Sequence, residues 1–146
     1  MRTSAVRSAL KILVDTLFVV ALVNQRDQYH ERALALANEL EHYPLLITNA
    51  VLLEIGNALA RNYKQEAVAV IEQFLSAEEV EIVSLTPELF NEAFALYRTH
   101  QDKAWGLVDC ISFVVMCERG IDRALTFDQH FVQAGFKALM RSPSHT

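Results

Sequence analysis

Four carboxylates stand apart in this sequence because each is set in apolar surroundings. Asp15 follows Lys11-Ile12-Leu13-Val14, and Glu54 lies inside VLLEIGNAL. Asp109 is the only acid between Leu107 and Cys117, and Asp128 follows ALTF. The acids Glu39 and Glu41, or Glu78, Glu79 and Glu81, fall instead in polar runs and read as solvated surface. Carboxylates are among the side chains least often buried, and burial is costly unless a cation or hydrogen-bond donors compensate. One such acid has a local explanation, since the free N–H groups and dipole of a helix start favour an anion. Four sharing one pocket would not. Like charges raise one another's pKa, so the set could not ionise fully without cations between its members. Oxygen-only donors select hard ions, Mg²⁺ or Mn²⁺. Such ions polarise phosphoryl oxygens, acidify water and steady a leaving oxygen, which is the chemistry of phosphodiester hydrolysis.

Whether the four meet depends on the elements that carry them. Lys11–Val14 and Leu45–Thr48 read as short buried strands, as do Val80–Val83 and Ala124–Thr126, with a fifth over Phe136–Leu139. Between them, Leu17–Val23 reads as a helical turn, and apolar residues recur at helical spacing over 27–42, 49–61 and 66–77. Asn49 is the expected N-cap of the second of these. Thr86-Pro87-Glu88 is a helix start, with a threonine cap, proline in the first turn and an acid after it; that helix runs to Thr99. The Asp109 helix ends at Gly120, a residue suited to a left-handed cap. Strands alternating with helices give an α/β domain with a mainly parallel five-stranded sheet covered on both faces. Sites in such folds lie beyond the carboxyl ends of the strands, where Asp15 and Asp128 fall.

The 146 residues suit a single domain, 11–140, with a flexible arm over 1–10 and a tail over 141–146. A net charge of −5 gives no basic footprint for reading a nucleic-acid groove, although bound cations would invert the sign locally. The apolar content of 52% with 4 glycines and 3 prolines argues against disorder. Cys110 and Cys117, on one face of a single helix about 10 Å apart, are too distant to bridge and read as buried thiols in a reducing compartment. The scattered histidines offer no zinc spacing. Asp15 and Thr16 interrupt the N-terminal apolar run, no leader cleavage signal follows, and no run is long enough to span a membrane. A cytoplasmic protein is expected. Phosphate-loop, dinucleotide and GxSxG motifs are absent, and no second aspartate follows Asp15 as in aspartyl-phosphate phosphatases.

The segments VDTLFVVALVN, VLLEIGNAL, WGLVDCISFVVM and ALTFDQHFVQAGF, in that order, resemble the PIN-domain ribonucleases over residues 11–139. The last two carry most of the likeness. The resemblance implies a PIN-like three-layer fold and an acidic cluster that binds Mg²⁺ or Mn²⁺ and cleaves RNA. It matches Asp15, Glu54, Asp109 and Asp128 to the family's four acids, as metal ligands and catalytic groups, and Thr126 to the hydroxyl that supports the first aspartate. Many bacterial members are toxins of the virulence-associated type, held inactive by a small antitoxin, and homodimers are common among them.

Departures lie at Leu17, where many members carry Asn or Ser, and at Gly106 and Val108, where Ser and Thr often flank the third acid. They remove hydrogen-bond donors but no ligand. Asp102 is expected to face solvent and Trp105 to pack at the sheet's edge. Asn57, one turn beyond Glu54, is a candidate for orienting substrate or Glu54. Arg61, Lys64 and Lys103 are the candidate phosphate contacts. The function expected is a divalent-metal-dependent endoribonuclease, the toxin of a type II toxin–antitoxin pair. The alternative is a non-catalytic PIN-like module that binds RNA or protein through the same pocket, and a small-phosphoester hydrolase ranks third.

Overall fold

The computed structural model describes residues 11–141. The arm expected over 1–10, and the tail beyond Arg141, lie outside the described residues. The elements in chain order are β1 (Ile12–Val14), α1 (Thr16–Val23), α2 (His30–Glu39), β2 (Leu45–Thr48), α3 (Asn49–Leu59), α4 (Lys64–Ser76), β3 (Val80–Val83), α5 (Pro87–Thr99), α6 (Leu107–Arg119), β4 (Arg123–Leu125), α7 (Gln129–Gln133) and β5 (Lys137–Ala138). The strands form one sheet in the order β3-β2-β1-β4-β5, and every pairing is parallel. This is the α/β architecture expected from the sequence.

The central strand β1 shows why apolar runs without alternation were diagnostic. Successive residues of a strand face opposite sides, and both sides here are covered. Ile12 and Val14 join a core with Phe18, Leu36, Val51 and Ile55 from α1–α3, while Leu13 joins a second core with Leu89, Ile111, Phe113 and Phe131 from α5–α7. All three strand residues are fully buried, each contributing about 1.5–3 kcal/mol of apolar burial.

Chain direction reverses its progress across the sheet between β1 and β4, so the loops that follow these two strands diverge and open a crevice. The Asp15 N–H donates to the Leu125 carbonyl at 3.2 Å, which ties the two strand ends together at that crevice.

Several local expectations shift by a residue or two. Thr48, not Asn49, is the N-cap of α3: its Oγ1 accepts the Val51 N–H at 3.2 Å. The Asn49 side chain is used elsewhere, with Oδ1 accepting the Leu85 N–H at 2.9 Å. Thr86 caps α5 as expected, accepting the Leu89 N–H at 3.1 Å, and Gly120 ends α6 at φ 68°. Cys110 is buried, but Cys117, expected to be buried as well, is exposed in the last turn of α6. Burial pushes the Cys110 thiol up to about 11, with the Asp109 charge adding to it. Among the described residues no helix is long and apolar enough to cross a membrane.

Candidate active site

Asp15, Glu54, Asp109 and Asp128 line one cleft of about 500 Å³, together with Thr16, Leu17, Asn57 and Ala58. It lies at the carboxyl ends of β1 and β4, with walls from the first turns of α1 and α6 and the middle of α3.

Asp15 is the most buried of the acids, at 4% exposure. It occupies the N-cap position of α1, yet its side chain caps nothing there. One carboxylate oxygen instead accepts the Thr126 hydroxyl at 2.8 Å, across the β1–β4 gap. Burial raises its pKa to about 7, against the lowering effect of Thr126 and the Thr16 amide, and the charges of Asp109 and Asp128 push it further up. Asp15 therefore feels both neighbours electrostatically, and burial favours its neutral form.

Thr126 is fully buried and serves two acids. Besides donating to Asp15, its Oγ1 accepts the Asp128 N–H at 3.0 Å. Asp128 caps α7, with Oδ1 accepting the His130 N–H at 2.9 Å. Asp109 lies in the first turn of α6, where the helix dipole favours an anion. Its Oδ2 accepts the Gly106 N–H at 3.0 Å. Glycine offers no side chain in return, so this is half of a capping box. A backbone donor thus remains at 106 where the family often has serine.

Glu54 is on an exposed face of α3, but it is not loose. Its Oε1 accepts the Thr16 hydroxyl at 2.6 Å. Thr16 was overlooked in the sequence, though its signal was available: it adjoins Asp15 and its hydroxyl interrupts an apolar run. His130 was overlooked as well. Its Nδ1 lies 3.0 Å from Asp109 Oδ2 and 3.3 Å from Asp128 Oδ1, and ligand atoms of these three residues all fall within 4.8 Å of one another.

Other candidates fall away from this group. Asp102 is exposed and pairs with Lys103 at 3.0 Å; hydrogen bonding to Lys103 holds its carboxyl below the usual range. Trp105 is a core residue, edge-on to Phe113 with its indole N–H donating to Gln133 Oε1 at 3.0 Å. Asn57 does line the cleft, whereas Arg61, Lys64 and Lys103 do not.

The donor set fits a hard divalent cation. The lining holds several carboxylates and no lysine or arginine, and its most buried acid, Asp15, is displaced toward its neutral form by desolvation first, with the charges of Asp109 and Asp128 adding to it. Those are the conditions in which a cation relieves repulsion that the protein itself leaves uncompensated.

Comparison with known proteins covers the same extent of the chain. The family model described as PIN domain matches residues 12–137. The chain is 32% identical over 126 residues to the protein named 23S rRNA-specific endonuclease VapC20 of Mycobacterium tuberculosis, covering 86% of this chain and 95% of that one. It also superposes on the crystal structure of M. tuberculosis VapC20, described as a sarcin-ricin loop cleaving toxin. That match has a TM-score of 0.78 at 31% identity and covers 86% of this chain and 96% of the other.

Proposed function

This chain belongs to the PIN-domain family, and on that premise we propose that it is a divalent-cation-dependent endoribonuclease acting as the toxin of a toxin–antitoxin pair. The observation that supports the cation dependence is the cleft itself, with Asp15, Glu54, Asp109 and Asp128 in one lining that holds no lysine or arginine; among the described residues, the ligand atoms that lie within 4.8 Å of one another are those of Asp109, Asp128 and His130. An RNA phosphate is an anion, and four carboxylates alone would repel it. With Mg²⁺ or Mn²⁺ held by these acids, the local sign inverts and the cleft accepts the backbone.

Each residue has a role that follows from its contacts. The four acids hold the cation. Thr126 orients Asp15 and the Asp128 backbone, and Thr16 orients Glu54. The Gly106 amide and the start of α6 fix Asp109. Because strand ends and first helical turns carry most of these groups, little reorganisation precedes reaction. When bound, the cation polarises the phosphoryl group, acidifies water and offsets charge on the leaving oxygen. Asn57, on the cleft wall, is placed to meet the substrate.

The relative is named for 23S rRNA; for this chain the substrate class is RNA. A small antitoxin partner, a homodimeric state and a cytoplasmic setting belong to the same proposal, supported by the toxin likeness. The test is cleavage of total RNA by the purified chain with Mg²⁺, with Mn²⁺ and with chelator. Asp109→Asn should abolish cleavage while circular dichroism and Tm remain those of the native protein. Equal cleavage by Asp109→Asn overturns the catalytic assignment.

A further inference from the structure

His130 brings a ring nitrogen within hydrogen-bond range of two of the cleft's acids. Its Nδ1 faces Asp109 Oδ2 at 3.0 Å and Asp128 Oδ1 at 3.3 Å. With carboxylate oxygens before it, Nδ1 either donates a proton to them or lends its lone pair to a cation shared with them. A clamp role for the proton is largely redundant. Asp109 already accepts the Gly106 N–H, and Asp128 already accepts the backbone N–H of His130 itself. The spacing also suits a shared ion, since neighbouring donors in an octahedral shell of ~2.1 Å radius lie ~3 Å apart.

Resting on the proposed cation-dependent function, we infer that His130 is a nitrogen ligand of the cleft, completing a mixed donor set with Asp109 and Asp128. Imidazole is a poor partner for Mg²⁺ and a good one for first-row transition ions. His130 therefore sets the metal preference of this chain toward Mn²⁺ over Mg²⁺. The ring's remaining proton sits on Nε2 when Nδ1 is a ligand.

The experiment uses the full chain, ¹⁵N-labelled at histidine, with stoichiometric Mn²⁺. Pulsed electron paramagnetic resonance reads nitrogen coupling to the ion, and calorimetry gives dissociation constants for Mn²⁺ and Mg²⁺. Coupling is expected in the native chain and should vanish in His130→Asn. That variant should also bind Mn²⁺ about tenfold or more weakly, with a smaller change for Mg²⁺. Mn²⁺ that binds the native chain without nitrogen coupling overturns the ligand role but leaves cation dependence standing. Coupling that survives in a folded His130→Asn assigns it to another histidine and overturns the inference too. If Mn²⁺ does not bind, the inference falls; cation dependence falls with it only if Mg²⁺ does not bind either. The native-chain spectrum decides the matter even if the variant folds poorly.

Discussion

Asp109 and Glu118 sit near opposite ends of α6, and each lies beside another acid. At the first end, Asp109 and its neighbours are held by donors from the fixed framework: the Gly106 amide, the Thr126 hydroxyl and the His130 amide. At the other, Glu118 meets Glu92 on the exposed edge of α5 and α6. Its carboxyl is pushed up by desolvation, then by the charge of Glu92 and the proton the two share, against a lowering contribution from Arg119. The helix dipole supports an anion at the first end and opposes one at the second. Proximity of acids is common to both places. What distinguishes the cleft is that donors on strand ends and helix starts aim its carboxylates inward, where a cation would be needed.

The sharpest way to test that contrast is to titrate the protein without metal. Asp15 has a pKa of about 7 in the folded chain against 3.8 for a free aspartate. The folded state therefore binds more protons than the unfolded state between those values. Its stabilising contribution is complete below 3.8 and is lost as pH rises toward 7. The loss is on the order of 4 kcal/mol at most, or roughly 10 °C in Tm for a chain of this size. Thermal unfolding in chelator should thus show stability falling between pH 5 and pH 8. Added Mn²⁺ should raise Tm more at pH 8, where fewer protons compete for Asp15. Equal metal-induced shifts at pH 5 and pH 8 would detach Asp15 from the cation.

Thr126→Val should produce the next largest effect. Valine keeps the buried shape but removes both the donor to Asp15 and the acceptor for the Asp128 N–H. Cleavage should fall ~10–100-fold, the range typical for groups that orient metal ligands. The pKa of Asp15 should rise further, because the bond that lowers it is lost. Unchanged cleavage would mean that Asp15 needs no orienting partner.

Much of this arrangement was legible in the sequence. The apolar runs of β1 and β2 and the cap at Thr86 follow from side-chain chemistry within a few residues, and the structure places them where expected. The four acids that line one cleft stood out because each carboxylate lay in apolar sequence, where solvent offers no simple account. Thr16 and His130 did not, because their importance is tertiary. Thr16 matters through Glu54, on another helix, and His130 through Asp109, which precedes it by a whole helix and strand. Asn49 was misassigned as a cap since Thr48 and Asn49 are both competent caps; a contact to Leu85, invisible in local sequence, diverts the asparagine. Trp105 carries the same lesson, because its indole partner Gln133 lies on α7.

The smallest predicted effect closes the contrast between the two ends of α6. Glu118→Gln removes a carboxyl whose folded-state pKa is raised, so the native glutamate costs stability once pH exceeds its unfolded value. Both acids are exposed, and solvent screening limits the gain to a few tenths of a kcal/mol. Tm should rise slightly at pH 7 and stay unchanged at pH 3, where Glu118 is protonated in both states. Cleavage should remain within twofold of the native rate, as estimated for an exposed side chain outside the cleft. A large loss of cleavage in a folded Glu118→Gln would show that the far end of α6 takes part in the reaction, and the division between a framed acid cluster and a solvated acid pair would no longer hold.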